Sequence, residues 1–588
     1  MTQRFLVDRN VTIPMRDGTL LRADVYRPAL STETPVPAIL VRLPYDKDSL
    51  LNHTFAIHPI RAAEAGYAVV YQDTRGRFKS DGDFYPFIHE GCDGYDTIEW
   101  VAAQPWCSGA VGMTGASYFG ATQWLAAAEQ PPHLKAICPI VTTSEYYEGW
   151  TYQGGAFQLG FALLWTLNNL APENARRLTG TEEMTRLLLA TDQIDEHYQH
   201  MSLVDLPVLR ESGAADFYAD WVAHAAKDEY WQSTAINRRY QQITVPAFNI
   251  GGWYDLFLHG TLENFVGMGQ QGGSEAARSG QRLLVGPWAH AAFSGQYSDF
   301  YFGVAAAADV VDLTAAQLAF FAQHLKGEQT GFDEQSPVPR DAEPVRIFVM
   351  GENRWRDEQE WPLARAQATA WYLHSDEAAA SAGGGLSPAR PGDEAADFYL
   401  YDPRQPAPTI GGPTFLPGLL LGANAGPRDQ RPAEARPDVL TYTSAPLEQP
   451  VEVTGPLTVT LYAATSAPDT DFVARLCDVH PGERGASRIL AEGILRARFR
   501  EGCDEPRPLE PGRVYEYKIN LVATSNVFLP GHRIRVDVTS SSFPRFDPNP
   551  NTGNPLGQDG PRDVRPALQT IFHDSQHPSH ILLPIIPH

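Results

Sequence analysis

Three short stretches hold residues whose types could carry out hydrolysis. VGMTGASYFG (111–120) sets Ser117 between an apolar extended run and an Ala-rich helical run. A serine hydroxyl is a weak nucleophile at neutral pH. Hydrolases therefore seat it on a tight strand-to-helix turn, where a histidine takes its proton and the first helical N–H groups face the developing oxyanion. Such a turn needs small neighbours. Gly115 precedes Ser117 by two residues, but Phe119 stands two residues after it and Gly120 comes one position late, so the strict GxSxG pattern is not met. Asp255 follows the apolar run into GGWYD, and His290 the run into GPWAH. Serine, acid, histidine is the chain order of an α/β-hydrolase triad. In that reading Asp255 orients His290, and His290 accepts the Ser117 proton and returns it to the leaving group.

Those residues need strands to carry them, and the hydrophobic pattern supplies candidates. Asp17-Gly18 between two alternating runs (11–28) predicts an antiparallel hairpin. AILVRL (38–43), YAVVYQD (67–73), VGMTG (111–115), LKAICPIV (134–141), VPAFNIGGW (245–253), RLLVGPW (282–288) and VRIFVMG (345–351) read as buried strands, the last of these closing the sheet. Helices are expected near 55–65, 91–104, 118–129 and 311–326. The alternation predicts an α/β sheet covered on both faces, with Ser117, Asp255 and His290 at carboxyl ends of strands, where such sheets form their crevice. Residues 1–142 and 241–362 form this domain. Residues 143–240 form an aromatic-rich helical insertion with no clear strand. Residues 363–588 turn to short β runs spaced by Pro and Gly, which predicts a sandwich or jelly roll. Within it 376–393 and 404–437 read as long surface loops.

Composition narrows the class. Hydrophobic content of 43% and 11% aromatics mark a globular chain. A net charge of −24 argues against nucleic acid or an anionic membrane as partner. No apolar run approaches the roughly 20 residues that span a bilayer, and MTQRFLVDRN lacks a secretion-signal core, so a cytoplasmic location is expected. Cys92, Cys107, Cys138, Cys477 and Cys503 form no CxxC pair and are read as buried thiols. His573, His577 and His580 have a spacing that could suit a metal, but their segment reads as a terminal strand, and neither metal nor cofactor is expected. Asp73 and Arg75 are expected to shape a loop through an ion pair.

GASYFG, GGWYD and GPWAH, with RLPYD (42–46), QDTRGRFKSDG (72–82), MGENRWRDEQEWP (350–362) and SSSFPRFDPNPNTG (540–553), resemble the cocaine esterase and X-prolyl dipeptidyl-peptidase (CocE/NonD) group of α/β-hydrolases. The likeness covers nearly the whole chain, and it places the last two segments in the β-rich part. The family serine motif reads GxSYxG, which accounts for Gly120. The resemblance implies an α/β-hydrolase domain, a helical cap inserted in it and a carboxyl-terminal jelly roll. It implies Ser117 as nucleophile, His290 as base and Asp255 as orienting acid, with an oxyanion hole from the Tyr118 backbone N–H and the Tyr45 hydroxyl. It also implies an aromatic acyl pocket from Trp150, Trp165 and Phe257. Without it, Tyr45 reads as a turn aromatic and the tryptophans as core.

The expected activity is hydrolysis of small acyl esters, with amides left open, through an acyl-enzyme. A homodimer is kept open as the assembly. An X-prolyl dipeptidyl-peptidase would need an amino-terminus clamp and usually a further amino-terminal domain, whereas here the hairpin begins close to Met1. An α-amino acid ester hydrolase would need carboxylates near the triad. Leu256, Phe257 and Leu258 follow Asp255 instead, leaving Glu145 and Glu148 as substitutes. The reading from another class is a glycan- or partner-binding protein acting through the β half.

Overall fold

The computed structural model describes residues 4–290, 292–328, 339–340, 342–375, 384–416, 424–482 and 485–587. The chain opens with β1 (Phe5–Pro14) and β2 (Leu20–Pro28), paired antiparallel across a turn in which Gly18 has φ +87°. β3 (Val36–Leu43), β4 (Ala68–Asp73), β5 (Cys107–Ala116) and β6 (Leu134–Ile140) follow as near-continuous apolar runs, the composition a strand needs when both its faces are covered. The insertion contributes β7 (Tyr152–Gln153) and β8 (Ala156–Phe157), and the sheet resumes with β9 (Phe248–Tyr254), β10 (Arg282–Ala289), β11 (Val345–Val349) and β12 (Arg354–Glu358).

The large sheet has the order β1-β2-β4-β3-β5-β6-β9-β10-β11-β12. Its interior, from β4 to β11, is parallel, and antiparallel strands close both edges. Helices α1 (Pro59–Glu64), α2 (Glu90–Ala102) and α3 (Tyr118–Ala128), with Leu258–Gln271 and Leu313–Lys326 later, cover its faces. Because these strands are parallel, residues just after β3, β5, β9 and β10 share one rim.

Five expectations change. VRIFVMG is not the last strand: the chain reverses at Gly351 and Asn353, both at positive φ, and β12 pairs with β11, so RWRDE belongs to this sheet rather than to the β-rich half. The insertion is helical but holds a small β7–β8 hairpin, because Gly154 and Gly155 adopt the left-handed region that reverses the chain there. The segment 404–437 is not a surface loop in its described part. Ala407, Thr414, Leu416, Ala425, Gln430 and Ala433 are buried, and Thr409 N–H and the Gly412–Gly426 pair find backbone partners, which lets irregular chain enter the interior. In 376–393, Gly384–Ser387 is a strand, whereas 376–383 and 417–423 lie outside the described residues. Finally, Cys107, Cys138 and Cys477 are buried, but Cys92 on α2 is exposed and Cys503 half-buried; all five are free.

Beyond β12 the chain forms an all-β jelly-roll half. Among the described residues its sheet has eleven strands, beginning with Gln367–His374 and ending with His580–Ile586, with Val451–Thr465 and Tyr515–Phe528 as its longest antiparallel pair. One apolar core joins the parallel sheet to the insertion, and a second joins β9–β11 to the β-rich half. Both halves therefore meet where β9 and β10 end. No helix among the described residues is long and apolar enough to cross a membrane.

Candidate active site

Ser117 sits between β5 and α3 at φ +58°, ψ −122°, a backbone region that L-residues avoid and that lifts the hydroxyl clear of the turn. The flanking glycines are explained by contact. At Gly115 a Cβ would fall 2.4 Å from the Phe119 Cβ, and at Gly120 it would fall 2.7 Å from Thr142 Cβ and Cγ2. The second glycine is thus needed where the first turn of α3 crosses the chain leaving β6. At the position after Ser117 that the strict motif gives to glycine, the Phe119 side chain instead occupies the space over Gly115.

His290 directly follows β10, and its Nε2 lies 3.1 Å from Ser117 Oγ. Its Nδ1 donates to Asp255 Oδ2 at 2.7 Å, which fixes the tautomer whose Nε2 lone pair faces the serine. Asp255 directly follows β9. Its other oxygen accepts the Phe257 N–H at 2.7 Å, so the carboxylate cannot swing. Asp255 and His290 are 2% and 5% exposed, while Ser117 is half-buried and reachable. The three residues that the sequence places in order are therefore brought together.

Tyr45 lies two residues beyond the end of β3, the strand that pairs with β5. Its hydroxyl oxygen accepts the Trp165 indole N–H at 2.8 Å, and burial pushes its phenol pKa up, so it keeps its proton. The Tyr118 N–H opens α3, and no described residue accepts it. The Tyr118 phenol is a separate matter: it donates to Glu90 Oε1 at 2.8 Å and accepts the Phe87 N–H at 3.0 Å. Glu90, whose carboxyl pKa is pushed up by burial, stands 3.0 Å from Arg42.

Trp150 and Phe257 stack at 4.1 Å with both rings fully buried, and the edge of Phe257 meets the His290 ring at 5.0 Å. Trp165 stacks on Phe161 and Trp221. Phe415, from the segment expected to be a surface loop, joins this cluster, meeting Phe161 at 5.6 Å and His290 at 5.4 Å. Glu90, Phe161 and Phe415 escaped the sequence reading. GxSYxG points to Tyr118 but not to its phenol partner, and nothing in a Pro- and Gly-rich segment singles out one phenylalanine.

The expected Asp73–Arg75 pair does not form. Asp73 is fully buried and accepts the backbone N–H groups of Lys47 and Lys79, and burial pushes its carboxyl up to about 7. Arg75 lies past the end of β4, where the turn aims it at α2 and the first hairpin; it binds Asp93 through two nitrogens and Asp17 through one. Glu145 is held by Lys227 at 2.7 Å, and Glu148, pushed up to about 7 by burial and by Glu145, accepts the Gly154 N–H.

Two groups of potential metal ligands occur among the described residues, Asp478 with His480 and His532, and Glu434 with Cys477 and Asp537. Both belong to the β-rich half, and in each a carboxylate is already engaged, by His532 at 2.8 Å and by Arg535 at 2.5 Å. His573 binds Asp397, His577 binds Asp574, and His580 Nδ1 contacts the Pro578 carbonyl.

Residues 17–292 match the X-Pro dipeptidyl-peptidase (S15 family), and residues 338–582 match the X-Pro dipeptidyl-peptidase C-terminal non-catalytic domain. The chain is 40% identical to cocaine esterase from Rhodococcus sp. (strain MB1 Bresler) over 99% of both chains. It belongs to the CocE/NonD family of α/β-hydrolases. It is accordingly a hydrolase. Among solved structures it is similar to an aminopeptidase from a marine sediment archaeon, Thaumarchaeota archaeon (26% identity, TM-score 0.82, 99% of this chain and 97% of that one). An α-amino acid ester hydrolase matches with the same identity, coverage and score. The CocE/NonD architecture thus accounts for both the parallel sheet and the all-β half.

Proposed function

We propose that this chain is a serine esterase that cleaves small acyl esters through an acyl-enzyme. The observation that carries the reading is the relay from Ser117 Oγ to His290 Nε2 at 3.1 Å and from His290 Nδ1 to Asp255 at 2.7 Å. His290 takes the Ser117 proton as Oγ attacks the ester carbonyl, and Asp255 stabilises the imidazolium. The oxyanion is held by the Tyr118 N–H and the Tyr45 hydroxyl, an arrangement in which one donor is worth about 2.7 to 4 kcal/mol. Collapse breaks the C–O bond, and His290 returns the proton to the departing alkoxide. Water, deprotonated by His290, then releases the acid. Trp150, Trp165, Phe257 and Phe415 give the acyl side aromatic surroundings that suit an apolar or aromatic acyl group, and likeness to cocaine esterase supports an ester substrate.

A second reading is supported by the S15 match and by likeness to an aminopeptidase and an α-amino acid ester hydrolase: action on substrates with a free amino group. Lys227 already occupies Glu145, one of the two acids open to hold an ammonium, which ranks this reading second. The β half contacts the insertion and the rim, through Arg545 with Gln153, Asp547 with the Phe157 N–H, and Phe415 with His290, which supports a buttress rather than a separate binding module. Cytoplasmic location and a homodimer remain part of the proposal, checked by fractionation and light scattering.

The test is Ser117→Ala with a nitrophenyl benzoyl ester and an X-Pro nitroanilide. Turnover of the ester should vanish while thermal unfolding stays nearly unchanged. Retained turnover overturns the assignment of Ser117, and wild-type preference for the X-Pro nitroanilide promotes the second reading.

A further inference from the structure

The cap residue Trp165 stands in an unusual relation to Tyr45. It ends helix α4 (Leu159–Trp165), and the chain continues in a single π-type turn, Thr166–Leu170, a form that clusters at functional sites. Its Nε1 donates to the Tyr45 hydroxyl at 2.8 Å. An indole N–H donates and cannot accept. Tyr45 therefore cannot direct its own proton at Trp165; one lone pair is taken, and the proton is left for an acceptor elsewhere.

Both partners are held. The Trp165 ring lies flat between Phe161 at 5.3 Å and Trp221 at 5.8 Å, with interplanar angles of 12° and 5°. The Tyr45 ring packs on Phe119, two residues past the nucleophile, at 5.5 Å. Beneath them the fully buried Arg77 donates to the carbonyls of Pro44 at 2.8 Å, Leu170 at 2.8 Å and Asn169 at 2.7 Å. One guanidinium thus ties the residue before Tyr45 to the turn that follows Trp165. The loop after β3 and the insertion are joined twice, by this brace and by the Trp165–Tyr45 bond.

We infer that Trp165 is a positioning residue for the reaction. Its indole N–H sets the rotation of the Tyr45 hydroxyl and strengthens it as a donor, because a hydroxyl that accepts a hydrogen bond becomes a better donor of its own. The oxyanion hole is then complete only with the cap seated. This inference rests on the reading of Tyr45 as an oxyanion donor. It differs from an acyl-pocket role for the same ring, which any flat aromatic side chain would fill.

The experiment is a double-mutant cycle of Trp165→Phe and Tyr45→Phe on the full chain, read as kcat and KM for a nitrophenyl benzoyl ester. Trp165→Phe should lower kcat about tenfold, the worth of one hydrogen bond, with little change in KM. Tyr45→Phe alone should lower kcat by about 10² to 10³. The double variant should be no slower than Tyr45→Phe, since the indole has then lost what it acts on. Unchanged kcat in Trp165→Phe, a loss confined to KM, or a loss that multiplies fully in the Tyr45→Phe background overturns the inference. Full activity in Tyr45→Phe overturns instead the reading beneath it. Should Trp165→Phe fold poorly, benzothienylalanine at position 165, which replaces the N–H by sulfur in the same shape, carries the same test with the same outcomes.

Discussion

Glu90 accepts the phenol of Tyr118 at 2.8 Å, so the residue whose backbone N–H opens α3 beside Ser117 is anchored at its far end to the start of α2. Glu90 is 3% exposed and its second oxygen faces Arg42, itself fully buried. Replacing Glu90 by Ala strands the Arg42 charge in the interior, and stability should fall by about 3 to 5 kcal/mol. Tyr118→Phe removes only the phenol bonds and should cost about 1 to 3 kcal/mol. Urea unfolding of the two variants measures both. Equal losses would mean that Arg42 finds another partner.

Gly120→Ala probes the serine turn. The added methyl would meet Thr142 at 2.7 Å, and because the contact is with a β-branched side chain whose Cβ is fixed to the backbone, neither side can yield cheaply. We expect destabilisation by about 1 to 3 kcal/mol, the usual effect of overpacking, with a fall in fluorophosphonate labelling of Ser117 at a temperature where the variant is still folded. A variant as stable and as reactive as the parent would show that the position is not constrained by Thr142.

Asp73 gives a pH prediction. Its carboxyl is pushed up to about 7 by burial, above the unfolded value near 3.9, so the folded protein binds the extra proton between these two pH values. Stability attached to the protonated group is present in full below about pH 4 and is lost as pH rises toward about 7. Asp73→Asn keeps an acceptor for one of the Lys47 and Lys79 N–H groups but cannot ionise. Relative to the parent, the variant should gain stability from pH 5 to pH 8. Denaturant unfolding at both pH values checks this, and a constant difference would mean that the carboxylate stays ionised.

Taken with the Ser117→Ala and Trp165→Phe experiments, these variants probe Ser117, its turn, the phenol end of Tyr118, the buried Asp73 and the indole that meets Tyr45.

Much of this site could be read without coordinates, for an identifiable reason. Runs such as YAVVYQD and RLLVGPW must be buried on both faces, and small residues around Ser117 must allow a tight turn; both are properties of neighbouring residues. Strand order along the chain then put Ser117, Asp255 and His290 at strand ends, and the parallel sheet collected those ends on one rim. The late glycine of GASYFG was legible as a pattern, whereas its cause, the Thr142 side chain, lies on another element.

What the tertiary structure decided was contact between segments far apart in sequence. Trp165 and Tyr45 are 120 residues apart, and no periodicity reports that one donates to the other. Arg75 was assigned to Asp73 because they are neighbours, but the turn after β4 aimed it at Asp93 and Asp17. Phe415 reached His290 from a segment whose composition announced only a loop. Local sequence sets which face is apolar and where the chain turns. Only the packing of sheet, insertion and β half decides which polar atom meets which, and that packing brings His290 to Ser117 and the Trp165 indole to Tyr45.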